Sequence, residues 1–187
     1  MPAQTDLTAV LRPVGEARGL PNAHYTDASV YAEERDAVVF ASWAGIGFGF
    51  DVPEAGDAMP VDFMGMPLLV LRNDKGVVKV FQNTCRHRGM VMVTEKGNIR
   101  GTIRCPYHSW CYGLDGALRS TPHVGGPGQN LHENVDRKDL GLVEIRSHIY
   151  RDVVFVNIDG KAPAFVDYAA PLLARMKDHT APLYHGG

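Results

Sequence analysis

The sequence predicts a mainly β chain: a small antiparallel β domain flanked by short helical segments. Three observations predict it. Short runs rich in Val, Leu, Ile and Phe recur between residues 40 and 160, separated by Gly, Pro, Asn and Asp. Two of the separators, Asn73-Asp74-Lys75-Gly76 and Asp115-Gly116, are hairpin turns by composition. Helical patterning is confined to two flanking stretches, 25–39 and 164–179.

Residues 1–24 are punctuated by Pro and Gly and run over a surface. "YTDASVYAEERDAVV" (25–39) predicts a short helix with Thr26 or Asp27 as its N-cap, since either side chain can accept from the free N–H groups of the first turn. From Phe40 the texture becomes β, with "SWAGIGFGFDVPEAGD" giving a strand and then a Pro/Gly turn. "PLLVLRNDKGVVKVFQN" (67–83) is the clearest hairpin. "NIRGTIRCP" (98–106) alternates like a strand, and "CYGLDGALRS" (111–120) is a second hairpin. "STPHVGGPGQNLHENVDRKD" (120–139) is a long loop, and "GLVEIRSHIYRDVVFVNID" (141–159) gives two more strands. "AFVDYAAPLLARMKDH" (164–179) is helical, interrupted near Pro171. The expected division is a helical lead-in over 1–40, a β domain over 41–160 and a second helical piece over 161–187.

Composition narrows the function. The 187 residues are 45% hydrophobic and 21% charged, with a formal charge of -2. That balance gives no basis for binding nucleic acid or an anionic membrane surface. No apolar run approaches the ~20 residues that span a bilayer, and the N-terminus lacks the basic start and apolar core of a secretory signal. Three cysteines, an odd number, argue against a disulfide scaffold and for a cytoplasmic location.

The chemistry lies in two short stretches. "CRHRGM" (85–90) and "CPYHSWCY" (105–112) hold all three cysteines, Cys85, Cys105 and Cys111, together with His87 and His108. Each stretch offers one thiolate and one imidazole: Cys85-x-His87, then residues 88–104, then Cys105-x-x-His108. Three readings compete. Cys and His can be packing and capping residues that share a region by coincidence. They can form a structural Cys2His2 zinc site, although zinc patterns usually put two Cys in one half and two His in the other. They can hold a [2Fe–2S] cluster in which two Cys bind one iron and two His the other. In the last case each loop must reach both irons, so each needs one Cys and one His. The observed pairing favours it.

With these motifs the sequence resembles the Rieske family, and the expected fold becomes a Rieske-type antiparallel β domain with two cluster-binding loops. The resemblance implies one [2Fe–2S] cluster, with Cys85 and Cys105 on the inner iron and His87 and His108 on the outer one. Quinol-oxidising members join their loops by a disulfide; here Met90 and Tyr107 stand where those cysteines would be. Trp110 stands where that class often has a Ser donating to cluster sulfur. Fewer such donors imply a potential at the low end of the family range, about −150 mV. Tyr112 is either a hydroxyl donor to a cysteine sulfur or a half-buried strand Tyr. Arg86 and Arg88 are either solvated or steer an acidic partner toward the cluster. Cys111 reads as a packing residue, and His24, His123, His132 and His148 as surface or loop histidines.

The flanks extend the resemblance from about Leu20 to about Met176. The order of lead-in helix, cluster loops, "FVN-x-D" and helix is similar to the N-terminal part of α subunits of Rieske non-haem iron oxygenases, including members that act on quaternary amines. The resemblance implies a reductase or ferredoxin as electron donor, a homotrimer in the full-length family, and a mononuclear Fe(II) held by a 2-His-1-carboxylate set in a full-length relative. "DHTAPLYH", with Asp178, His179 and His185, departs from that iron motif because Asp178 is adjacent to His179. The expectation is therefore an oxidoreductase component with no catalytic residue of its own, whose 161–187 segment begins a missing catalytic domain. The alternative is a stand-alone Rieske-type ferredoxin. Tightly packed flanks would favour the carrier; flanks exposing a large apolar patch would favour the oxygenase part.

Overall fold

The computed structural model describes residues 7–130 and 132–181. Its N-terminal helices are α1 (Ala23–Thr26) and α2 (Ala28–Glu34), followed by a π-helical turn at Arg35–Val39. Asp27 separates the two and caps α2, accepting from the Ser29 N–H at 2.7 Å. The predicted helix thus starts at its expected cap; α1 is an additional turn of helix before it, separate because a residue that caps from an extended backbone (ψ 120) cannot continue the preceding helix.

Among the described residues ten strands follow: β1 (Ala44–Phe48), β2 (Asp57–Phe63), β3 (Met66–Arg72), β4 (Val78–Gln82), β5 (Gly97–Asn98), β6 (Thr102–Arg104), β7 (Cys111–Gly113), β8 (Leu118–Ser120), β9 (Arg146–Tyr150) and β10 (Val153–Asn157). They form three antiparallel sheets, ordered β1-β10-β9, β4-β3-β2-β5 and β6-β7-β8. β3 is the hub. Its unbroken apolar run is buried on both faces: Leu69 and Leu71 enter one core cluster, Leu68 and Val70 the other. The first core contains Phe81, Ile103, Trp110, Tyr112, Leu118, Cys85 and Cys105, so it lies beneath the two Cys/His loops. The second joins β3 and β4 to Val154 and Val156 of β10.

The strand reading changes in two places. β2 follows the expected Pro/Gly turn, in a stretch the sequence reading leaves unassigned, and pairs with β3 from Ala58 to Phe63. Pro60 is accommodated because β5 pairs only with Asp57 and Ala58, leaving the outer edge of β2 unpaired at the proline. The expected strand at 98–106 is split into β5 and β6, with the chain turning back at Arg100, whose carbonyl accepts from the Thr102 N–H at 3.2 Å.

At the C-terminal end α3 (Phe165–Tyr168) and α4 (Ala170–Met176) meet at Ala169, with Pro171 inside the first turn of α4, where its missing N–H costs no hydrogen bond. Phe165 and Ala169 pack on Trp43. The connection is fixed by side chains: Trp43 Nε1 donates to the Pro163 carbonyl at 2.9 Å, and the Arg146 guanidinium donates to the Gly160, Ala162 and Pro163 carbonyls while lying 5.0 Å over the Trp43 ring. Asn157, fully buried, donates to the Phe40 and Ser42 carbonyls and accepts from Ala162 N–H.

Candidate metal centre

The two Cys/His stretches fold into hairpin loops of one design. Thr84 bridges Val91 across the first, and Arg104 pairs with Cys111 across the second. In the first, the Cys85 N–H donates to the Met90 carbonyl (2.8 Å) and the Gly89 N–H to the Cys85 carbonyl (2.9 Å). In the second, the Cys105 N–H donates to the Trp110 carbonyl (2.8 Å) and the Ser109 N–H to the Cys105 carbonyl (3.0 Å). Each loop turns through a left-handed residue four after its cysteine, Gly89 at φ 70 and Ser109 at φ 58. Glycine adopts that conformation without steric cost; serine does so at roughly 1–2 kcal/mol. The Cys111 thiol donates to the Ser109 carbonyl at 3.2 Å and braces this turn.

The loops bring all four expected donors together in matched pairs. Cys85 and Cys105 are buried, 3% and 2% exposed, on the core side. Cys105 is near enough to Cys85 to help raise its thiol pKa. His87 and His108 are half-buried, with ring centroids 4.9 Å apart. His108 Nδ1 is buried and has no hydrogen-bond partner, an orphan that a metal ion would satisfy. Burial pushes the Cys85 thiol up, opposed by the Tyr112 hydroxyl and the His87 backbone N–H. Burial, then His108 and Arg88, pull His87 down, a shift that favours the neutral imidazole a metal would need.

Among the described residues no three His, Cys, Asp or Glu groups gather at one point as a single ion would require. Two thiols, Cys85 and Cys105, and two imidazoles, His87 and His108, would be the residues to hold a two-iron group. The donor set and its orphaned imidazole nitrogen fit a [2Fe–2S] group.

Tyr112 lies on a strand as expected, but fully rather than half buried. Its Oη lies 3.3 Å from Cys85 Sγ. Because the Arg86 N–H donates to the same oxygen at 3.0 Å, the hydroxyl proton is free to point at the sulfur. Burial and the neighbouring Cys85 push the phenol well above its ordinary pKa, so it remains a donor. Trp110 stacks on His87, with centroids 4.8 Å apart and planes 6° from parallel. Arg86 and Arg88 are exposed beside His87. Cys111 is buried, as expected of a packing residue.

Two histidines depart from expectation. His24 has a side chain only 8% exposed and meets Glu34 at 2.7 Å; His148 stacks on Phe165 at 4.3 Å and faces Trp43 edge-on. Neither is a surface histidine, because the flanking helices cover what sequence alone leaves open. His123 and His132 are loop residues, each accepting a backbone N–H nearby. His179 lies after α4, and His185 lies outside the described residues.

Comparison with known proteins follows the same lines. A family model described as the Rieske [2Fe-2S] domain matches residues 42–147. The glycine betaine monooxygenase oxygenase subunit of Chromohalobacter salexigens is 32% identical over 182 residues, covering 96% of this chain and 38% of that protein. The biphenyl 2,3-dioxygenase subunit alpha of Rhodococcus jostii is 33% identical over 145 residues, covering 77% and 30%. The quaternary ammonium Rieske monooxygenase CntA, solved with γ-butyrobetaine, superposes with a TM-score of 0.77 at 26% identity over 86% of this chain and 45% of that one. The chain thus spans well under half the length of these relatives. Among the described residues no helix is long and apolar enough to cross a membrane.

Proposed function

The chain belongs to the Rieske [2Fe–2S] domain family, and on that premise we propose that it takes single electrons from a reductase or ferredoxin and relays them toward a mononuclear non-haem iron in an oxygenase α subunit. Cys85, His87, Cys105 and His108 are the proposed cluster ligands. The observation that carries this reading is the pair of equivalent loops, each supplying one buried thiol and one half-buried imidazole. When bound, the cluster supplies one-electron redox chemistry. The protein's part is to bury the thiols, set the imidazoles nearest the surface, and hold the Tyr112 proton on Cys85 Sγ. His87 or His108 is the proposed exit.

The proposed division keeps residues 41–160 as the electron-carrying unit, 1–40 as its lead-in and 161–187 as the helical start of a catalytic domain. Exposed apolar side chains on both flanks support this reading over the stand-alone ferredoxin: Tyr25, Tyr31 and Val38 at one end, Val166, Tyr168 and Leu172 at the other. The relatives' names make quaternary amines and aromatic rings the substrate classes to test in the whole oxygenase, and the donor, the homotrimer and the cytoplasmic location belong to the same proposal.

The test is electron uptake. The purified protein should contain two irons and two sulfides and accept one electron per cluster from a reductase. With Fe(II) and O2 added it should form no hydroxylated product, since among the described residues no 2-His-1-carboxylate set converges. An O2-dependent product that disappears in His179→Ala would overturn the relay reading.

Tyr112→Phe should lower the reduction potential. The hydroxyl proton stabilises sulfur most when the added electron makes it more negative, so its loss disfavours the reduced state. A tenfold change in that equilibrium corresponds to about 59 mV for one electron, and a shift of that order is expected in voltammetry. An unchanged or raised potential would mean the proton points elsewhere.

A further inference from the structure

The two loops share no covalent link: Cys85, Cys105 and Cys111 are free thiols, and Met90 and Tyr107 are exposed side chains. Something else must keep the first loop in register with the second, because two imidazoles on different loops have to present their nitrogens to one iron. We propose that Trp110 is the positioning residue that does this, setting the ring plane of His87 and clasping the first loop to the second. The proposal rests on the assignment of His87 as a ligand.

Five observations carry it. Trp110 belongs to the second loop and His87 to the first, and their rings lie nearly parallel, 4.8 Å apart. Trp110 is itself fixed, 6% exposed in the core beneath the loops. Its carbonyl accepts from the Cys105 N–H, so the residue that places the indole is tied to the base of its own loop. The turn that aims it is the left-handed Ser109, braced by the Cys111 thiol. Trp110 and Tyr112 are two apart, so on an extended chain they face the same way, and both reach the first loop, one at His87 and the other at Cys85 and Arg86.

The physical need is specific. The second torsion of a histidine is broad, so an imidazole swings readily unless something restricts it. A parallel indole face restricts the swing while leaving both ring nitrogens free, one for iron and one to keep its proton. Tyr107 covers His108, with ring centroids 3.7 Å apart, but both belong to the second loop and their contact couples nothing across.

The experiment uses the cluster-loaded protein with Trp110→Ala, Trp110→Phe and Trp110→Leu. Phe keeps a flat face, and Leu fills volume without one. The readouts are the rate of colour loss to an iron chelator and the EPR g-values of the reduced cluster. Trp110→Ala should release iron about tenfold faster and shift the g-values; Phe should restore both toward wild type, and Leu should restore neither. If Leu restores both as well as Phe does, packing volume alone is at work and the clasp is wrong. Should the Ala variant fail to fold, the Phe–Leu comparison still decides. His87→Ala separates the two levels: an unchanged cluster spectrum there overturns the ligand assignment. Cluster loss in His87→Ala with unchanged g-values and release rate in Trp110→Leu overturns the clasp alone.

Discussion

Cys85→Ala and His108→Ala should each bleach the protein, and Cys111→Ala should not. On the proposed ligand set each iron has only two protein ligands, so one substitution halves the protein's hold on that iron. Structural metal sites with four ligands bind by roughly 10–16 kcal/mol, or about 3 kcal/mol per ligand, and losing one costs about two orders of magnitude in retention. The two variants fail at opposite ends. Removing Cys85 takes a thiol from a buried site where the Tyr112 hydroxyl and the His87 N–H then point at nothing. Removing His108 takes the imidazole whose Nδ1 has no other partner. Cys111 turns its thiol to the Ser109 carbonyl, so its loss relaxes a turn and removes no ligand. Iron and sulfide analysis together with the visible spectrum checks all three. A full complement of iron with a wild-type spectrum in either ligand variant, or a colourless Cys111→Ala, would sink the assignment.

Gly116→Ala should cost the domain about 2–5 kcal/mol, a large share of the roughly 5–15 kcal/mol that stabilises an ordinary domain. Gly116 sits at φ 82 in the turn between β7 and β8, a conformation in which a Cβ costs about 1–2 kcal/mol. There is also no space. An added Cβ would come within 2.5 Å of a ring carbon of Phe81. Phe81 is 1% exposed in the core beneath the metal loops and cannot withdraw without opening that core. Forcing such a contact adds about 1–3 kcal/mol. Urea unfolding of the cluster-loaded protein measures the loss; a midpoint within error of wild type would mean that the turn can shift its backbone. The same turn anchors the following segment, since the Gly116 carbonyl accepts from the Leu142 N–H at 2.8 Å.

Much of this architecture is legible residue by residue. The 67–83 hairpin is read from two apolar runs and an Asn-Asp-Lys-Gly turn, and β3 and β4 occupy it. The Asp115-Gly116 turn and the paired strands of 141–159 are read in the same way, and Asp27 is the helix cap expected of it. β2 is not legible. A strand containing Pro60 is acceptable only if its outer edge is unpaired there, and that depends on β5 ending at Asn98. His24 and His148 are misjudged for a related reason: whether a histidine is exposed is decided by what covers it, here α2 and α3.

By itself the sequence determined that each loop offers one thiol and one imidazole, because that is a matter of residue type and spacing. It also determined that these loops lack the cysteines of a bridging disulfide. Only the tertiary structure decided how the loops are held. The stack of Trp110 on His87, the Tyr112 hydroxyl on Cys85 Sγ and the orphaned Nδ1 of His108 are contacts between side chains on separate loops or at buried atoms. Spacing along a chain determines which side chains a strand turns to one face. It does not determine what that face meets, because the meeting depends on the register and packing of three sheets around β3.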